Sequence, residues 1–430
     1  MRRMRLNFAF LLCGGAALVG ANLRAQSPKV APKKPGSLSG EVVSAKGAPV
    51  AGAQVMWQVA DGGTPHVLHS DAHGHFRLDT LRAGLYQLRA SVGGAWSEWE
   101  QNVIVRPGAE TAVKLKLSFK PPSMPLAVEL KGTIRTWDIS VPGAAPRDAA
   151  VDPKGNVWFT FPATGHIARF YPDTHEWSLF KVPTPDSGPD GLVADVNGNI
   201  WFAENSAGKI GKWNAASGEI TEFTPFSAKD PHALVFGPDG ALWFTSQKMN
   251  LIGRLDVQTG KIDEFSVPTQ GGRPEAIISA SDGALWFCES AGQKIARVDP
   301  VTEAITEFTP PGAGAHPRGL VAVGGAIYFT DVGGGRLGRI TLADKKFKMW
   351  ESPSGKDSQP NGIAADSTGK IWYQESAAGA NKLVRFDPSV EFFTVSPMPA
   401  DNSAAGSIVR DARGHLWMPL SALNKIASVE

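Results

Sequence analysis

From about Pro146 to the last residue, short apolar runs alternate with polar turns on a fixed period. One unit, Pro231 to Pro268, reads PHALVFGPDGALWFTSQKMNLIGRLDVQTGKIDEFSVP. A proline opens it, followed by a short apolar strand, a glycine turn, a Trp-Phe strand, an Ile-x-Arg strand and a Glu-Phe strand. Aligned on the aromatic after the turn, the units place Trp158, Trp201, Trp243, Trp286, Tyr328, Trp372 and Trp417 at steps of 42 to 45 residues. A glycine stands three positions ahead of each: Gly155, Gly198, Gly240, Gly283, Gly325, Gly369 and Gly414. Runs this short, bounded by turn residues, predict strands rather than helices. Four short strands repeating every 40 to 45 residues or so predict the blades of a propeller. Seven units predict seven blades.

The last unit stops after its third strand, near Lys425–Ser428. Its missing outer strand is predicted at the other end of the repeat region, where residues 133–142 carry the outer-strand pattern (Ile134-Arg135-Thr136-Trp137-Asp138). Pairing the two ends closes the ring over residues 132–430 and removes exposed strand edges. The recurring Trp, Phe and Ile are expected to pack blade on blade. The arginines at one repeated position (Arg169, Arg254, Arg297, Arg339, Arg385) are expected to be structural, and Cys288 a small buried filler.

Residues 37–118 have a different texture. Alternating strands such as GEVVSA, AQVMWQV and YQLRASV are separated by turns every ten or so residues. That spacing predicts a small antiparallel β-sandwich, making the chain all-β: a sandwich followed by a seven-bladed β-propeller. The motifs Gly40-Glu41-Val42, Gly52-Ala53-Gln54-Val55, Asp71-Ala72-His73-Gly74-His75-Phe76 and Leu81-Arg82-Ala83-Gly84-Leu85-Tyr86 resemble the carboxypeptidase regulatory-like domain, which implies an accessory role. His66, His69, His73 and His75 cluster here and are read as solvated turn residues. Proline-rich residues 119–131 predict a stiff linker to the propeller.

Residues 1–25 read as a secretory signal, with Arg2, Arg3 and Arg5 ahead of the apolar run from Phe8 to Val19 and small residues at Ala21 and Ala25. Residues 26–36 read as a flexible tether. The expectation is an exported protein, periplasmic or extracellular, without a transmembrane segment in the mature chain. Removal of the signal would leave Cys288 as the one cysteine, so no internal disulfide is expected. Charge nearly cancels, with 43 basic against 41 acidic residues, and no basic patch points to nucleic acid.

Positions that vary against a fixed scaffold carry what the scaffold does not need. The residue at the start of each inner strand, after the opening proline in six units and after Ala405 in the seventh, is predicted at the mouth of the central channel: Arg147, Asp190, His232, Glu275, Arg318, Asn361 and Gly406. The position before the proline adds Arg273 and His316, among others. Three residues past the aromatic come Glu289, Asp331 and Glu375. Convergence of these groups would put histidines, carboxylates and arginines around one opening, a set suited to acid–base chemistry and to holding a divalent cation.

The phrases Pro231-His232-Ala233-Leu234, Gly240-Ala241-Leu242-Trp243-Phe244-Thr245, Lys209-Ile210-Gly211-Lys212 and Gly218-Glu219-Ile220-Thr221-Glu222-Phe223 resemble the virginiamycin B lyase (streptogramin lyase) family, over Gly132–Glu430. The resemblance implies elimination at the ester of a cyclic depsipeptide, with Mg2+. Such chemistry needs a base for the proton α to a carbonyl and an electrophile for the developing enolate. His232 matches the family's Pro-His-Ala-Ile histidine. Where the family has Glu-Pro-His-Gly in the next blade, this chain has Arg273-Pro274-Glu275-Ala276. On that basis His232 is the expected base, Glu275 and Glu289 the metal ligands or proton carriers, and Arg318 or Arg273 the oxyanion partner. His316, Asp331, Glu375 and Asp190 would complete the ligand site. A second reading is a non-catalytic exported binding protein that recognises a small molecule, carbohydrate or peptide at the channel mouth. A third is a lactone hydrolase resembling gluconolactonase.

Overall fold

The computed structural model describes residues 34–59, 66–92, 95–118, 128–129, 134–401, 403 and 405–430. The predicted signal at 1–25 and most of both predicted linkers lie outside the described residues. Seven antiparallel sheets follow one another from Ala149 to Val429 and form seven blades. Blade 4 shows the plan, with strands Pro274–Ser279, Leu285–Glu289, Lys294–Val298 and Ile305–Phe308 in order from the channel outward. Blade 7 takes its outer strand from Ile134–Asp138, which pairs antiparallel with Lys425–Val429.

The buried aromatics are held by a polar bond as well as by packing. In six blades the indole Nε1–H of the repeat tryptophan donates to an aspartate of the preceding turn. The pairs run from Trp158–Asp152 at 3.0 Å through Trp201–Asp195, Trp243–Asp239, Trp286–Asp282 and Trp372–Asp366 to Trp417–Asp411 at 3.0 Å. A buried indole N–H left unpaired would be costly, so each turn aspartate fixes both the hairpin and the core residue beneath it. Blade 5 has Gly324-Gly325 in that turn and Tyr328 in place of tryptophan. Arg169, Arg254 and Arg385 lie over the rings of Trp158, Trp243 and Trp372 at 5.2, 6.0 and 5.7 Å. Core clusters then join neighbouring blades, as where Trp243 of blade 3 packs with Ile277, Leu285 and Phe287 of blade 4.

In blades 2 to 6 the inner strand carries one extra residue just after its proline. In blade 4, Pro274 pairs with Glu289 and Ile277 with Phe287, so three steps on the inner strand match two on its partner. The same irregularity recurs in the four others. A bulge of this kind turns a side chain out of the regular alternation, and here it falls on the residue that reaches the channel.

The N-terminal unit has eight strands, seven on one hydrogen-bonded path and Glu100–Val105 paired beside it to Gly84–Val92, around a core that includes Leu38, Val42, Val55, Phe76, Leu88 and Leu115. Its first and last strands, Gly36–Val43 and Glu110–Ser118, pair in parallel, whereas alternation alone predicts an all-antiparallel sandwich. His66 and His69 sit on a strand, with His66 stacked on Trp57 at 4.5 Å, and Asp71 accepts from the His73 and His75 amides. The unit also meets the propeller. Trp99 packs edge-on against Phe392 of blade 6 at 5.5 Å, and Val128–Glu129, within the predicted linker, pairs in parallel with the outer strand of that blade.

Trp137 closes the ring against Trp417 and Phe170 at 5.2 and 5.5 Å. Trp137 is half-buried at this seam, so Trp137→Ala should cost about 3 kcal/mol of stability, the low end for truncating a packed tryptophan. Denaturant unfolding of the mature protein checks this; an unchanged midpoint would show that the seam carries no stability.

Candidate functional site

The bulged residues converge as closure requires. Arg147, Asp190, His232, Glu275, Arg318, Asn361 and Gly406 all line one central channel of about 490 Å3. The chain approaches itself closely there: a Cβ on Gly191 would lie 2.1 Å from the His232 carbonyl oxygen, so blade 2 can seat His232 only with glycine at that point. Side chains of one blade also hold the ring residues of the next. Thr245 Oγ1 donates to the Glu275 carbonyl at 2.7 Å, and Cys288 Sγ to the Arg318 carbonyl at 3.3 Å. Burial pushes the Cys288 thiol well above its usual range, which keeps it a donor rather than a nucleophile.

The mouth divides into two charged arcs. Over blades 1 to 3, Arg147 Nε contacts Asp190 Oδ1 at 2.6 Å, and the other carboxylate oxygen of Asp190 lies 3.7 Å from His232 Nε2. His232 Nδ1 is enclosed without a hydrogen-bond partner, so Nε2 is the nitrogen that faces Asp190. Over blades 4 and 5, Glu275 Oε1 lies 3.6 Å from Arg273 Nε and Glu275 Oε2 lies 3.4 Å from Arg318 Nε. Ser290 Oγ donates to Glu275 Oε1 at 3.0 Å, and the Ser290 carbonyl accepts from His316 Nδ1 at 3.0 Å. A second hollow of about 250 Å3 lies between these blades, lined by Arg273, Glu275, Ser290, His316, Arg318 and Val332.

The residues three past the aromatic do not join this opening. Glu289, Asp331 and Glu375 end the second strand of their blades, opposite Pro274, Pro317 and Pro360, and are fully buried. Asp331 receives two bonds from Arg336, at 2.9 and 2.7 Å, and the amides of His316 and Gly334. Glu375 receives Ser352 Oγ at 2.6 Å and the Ser354 amide at 2.8 Å. Each carboxylate thus ties down a loop. Strand alternation explains the placement, because the last residue of the second strand points into its own blade while the bulge sends the post-proline residue inward.

Glu289 differs in that neither carboxylate oxygen has a hydrogen-bond partner. Burial, reinforced by the charge of Glu307, raises it to about 8. Its counterpart in blade 2, Glu204, is likewise unpartnered and raised to about 7, by burial and then by Glu222. Glu289 is enclosed within its blade and does not line the channel, while Glu275 lies between two guanidinium groups. Among the described residues no three His, Cys, Asp or Glu side chains are grouped to hold a metal. The pair Glu275 and Glu289 therefore does not fit Mg2+.

Two participants escaped sequence reasoning. Ser290 links Glu275 to His316 but carries no distinguishing signal, because other blades also have polar residues at its position. Asp148 lines the channel, accepts from the Leu192 amide at 3.2 Å, and is raised above its ordinary value chiefly by burial. Its signal was a carboxylate in a slot that the other blades fill with Gly, Ala or Ser.

Residues 132–429 match the model of the virginiamycin B lyase family. The chain belongs to that family. Residues 37–118 match the carboxypeptidase regulatory-like domain. A solved streptogramin B lyase is 29% identical, with 70% of this chain and 97% of that one covered and a TM-score of 0.65. Selenomethionine-substituted virginiamycin B lyase from Staphylococcus aureus is 29% identical over 70% of this chain and 99% of that one, with a TM-score of 0.64. A catalytically inactive His-to-Ala form of the Staphylococcus aureus enzyme, solved with quinupristin, is 27% identical over 70% and 99%, with a TM-score of 0.63. No curated protein matches the chain. Among the described residues no helix is long and apolar enough to cross a membrane.

The buried carboxyls of this family member make its stability depend on pH. Glu289 has an ordinary value of 4.5 and about 8 when folded, so the folded chain holds more protons than the unfolded one between those values. Stability should therefore be greatest on the acid side and fall as pH rises from about 5 to 8. Glu204→Gln and Glu289→Gln together should flatten the dependence. Melting curves across that range check it, and an unaltered slope in the double variant would rule out these groups as its source.

Proposed function

We propose that this chain is an exported carbon–oxygen lyase that opens a cyclic ester or lactone at the mouth of the propeller channel. The observation that carries this reading is His232. It stands in the family's Pro-His-Ala motif, on the channel wall, with Nε2 toward Asp190 and with Arg318 of blade 5 lining the same channel. Export rests on the N-terminal leader read from sequence.

In this mechanism His232 Nε2 takes a proton from a carbon that is α to a carbonyl and β to the ring oxygen. The C–H electrons form the new double bond, the C–O bond breaks, and the ring oxygen leaves as part of a carboxylate. Asp190, 3.7 Å from that same nitrogen, stabilises the imidazolium once Nε2 has taken the proton. Negative charge develops on the carbonyl oxygen and then on the leaving group. Arg318 on the channel wall, with Arg273 across Glu275 from it, supplies the cationic side of the site. Glu275 braces the two arginines rather than holding a metal.

The test is ring opening of a streptogramin B and a panel of cyclic esters and lactones by the mature chain, with Mg2+ and with a chelator. Turnover should persist in the chelator, and His232→Ala should lower it by about 100-fold or more with folding intact, the usual weight of a positioned base. Saturable binding with no turnover of any member would favour the non-catalytic binding protein. Strict Mg2+ dependence would sink the assignment to the arginines.

A further inference from the structure

Most arginines of the propeller are spent. Arg169, Arg254, Arg339 and Arg385 lie over aromatic rings, and Arg336 makes two bonds to Asp331. Arg273 and Arg318 differ. Among the described residues neither guanidinium makes a hydrogen bond; each reaches Glu275 only through the long contacts at 3.6 and 3.4 Å. Their side chains are 58% and 46% exposed, whereas Glu275 is 9% exposed. Two planar donor forks, each with about five N–H groups, therefore flank one hollow and rest on one buried carboxylate. His316 borders the same hollow. Its Nδ1 must carry the proton, because its partner is the Ser290 carbonyl, which leaves Nε2 uncommitted.

The backbone at Arg273 follows the repeat. Its φ is 56°, in the left-handed region that favours glycine. Blade 2 places Gly188 at the equivalent position before its proline, with φ 55°. Ala145 and Gln359 adopt the same conformation before the opening prolines of blades 1 and 6, with φ 50° and 51°, so the left-handed turn belongs to the repeat and Arg273→Gly is compatible with it.

We propose that the Arg273–Glu275–Arg318 group is a subsite for a carboxylate on the substrate, so that the enzyme acts on anionic cyclic esters. This rests on the reading of the channel mouth as the lyase site and names its substrate class. The charge balance selects the ligand. Two guanidinium groups against one carboxylate leave a single positive charge, which a monoanion satisfies and a dianionic phosphate beside Glu275 overfills. Forked donors also match the two oxygens of a carboxylate. Where that carboxylate sits on the carbon losing its proton, the arginines neutralise it and ease formation of the carbanion that His232 generates.

The probes are paraconate, a γ-lactone whose carbon bearing a free carboxylate is also β to the ring oxygen, its neutral carboxamide, and the matching phosphonate. Calorimetric titration of the mature chain should show paraconate binding at least about tenfold more tightly than either analogue, the effect of one charge-assisted bidentate contact. Arg273→Gly should abolish the preference over the carboxamide without lowering the melting midpoint, and Arg318→Gln should abolish it as well. Equal affinities, no saturable binding of paraconate, or a preference that survives Arg273→Gly would overturn the proposal. Ring opening is followed separately by absorbance of the unsaturated diacid. A retained carboxylate preference without ring opening removes the lyase reading and leaves the subsite standing.

Discussion

Ring closure is the constraint on which the rest of this structure depends. Blade 7 lacks an outer strand of its own, and Ile134–Asp138 supplies it across the longest sequence separation in the propeller. Trp137 seals that seam by packing on Trp417 and Phe170. Because the ring is closed, the inner strands surround one axis. Residues separated by multiples of the repeat, such as Arg147, His232 and Arg318, thereby share one opening. Loss of closure would disperse the site before it affected any single contact within it.

Within the closed ring, two local devices convert a repetitive scaffold into an asymmetric site. In blades 2 to 6 the bulge after the opening proline sends one side chain inward, and Thr245 and Cys288 hold the backbone of the next blade's ring residue. What differs between blades is how the ionisable groups are used. Asp331 and Glu375 are saturated by loop donors and Arg336, so they stabilise and present nothing. Glu204 and Glu289 are buried without partners, a burden the fold carries by keeping them protonated. Arg273 and Arg318 remain exposed with donors unspent. The chemical interest of the rim lies in that last class.

The N-terminal unit is joined to the propeller by more than its covalent link. Phe392 occupies an outer-strand position that is exposed in blade 1, as Glu176, and it is buried here with Trp99 against it. Arg89 lies over the other partner of that contact, Trp99, at 5.4 Å. The strand Val128–Glu129 extends blade 6 along its outer edge and covers backbone groups that would otherwise be open. Among the described residues none of the N-terminal unit lines the channel.

The repeat of turn glycine, aromatic and Ile-x-Arg strand, read from sequence alone, determined the all-β class, the seven blades and the identity of the residues that follow each proline. It did so because strand alternation and turn chemistry are local properties. The site was only half legible. His232, Glu275 and Arg318 could be picked out as departures from a repeat, but sequence could not say that Glu289, Asp331 and Glu375 point into their own blades. That depends on a one-residue bulge in the register between two strands. The same limit applied to Ser290, whose role comes from joining Glu275 of its own blade to His316 of the next. Tertiary structure alone decided which charges meet, because pairing across blades is set by closure geometry and by burial, neither of which has a local signature in the chain.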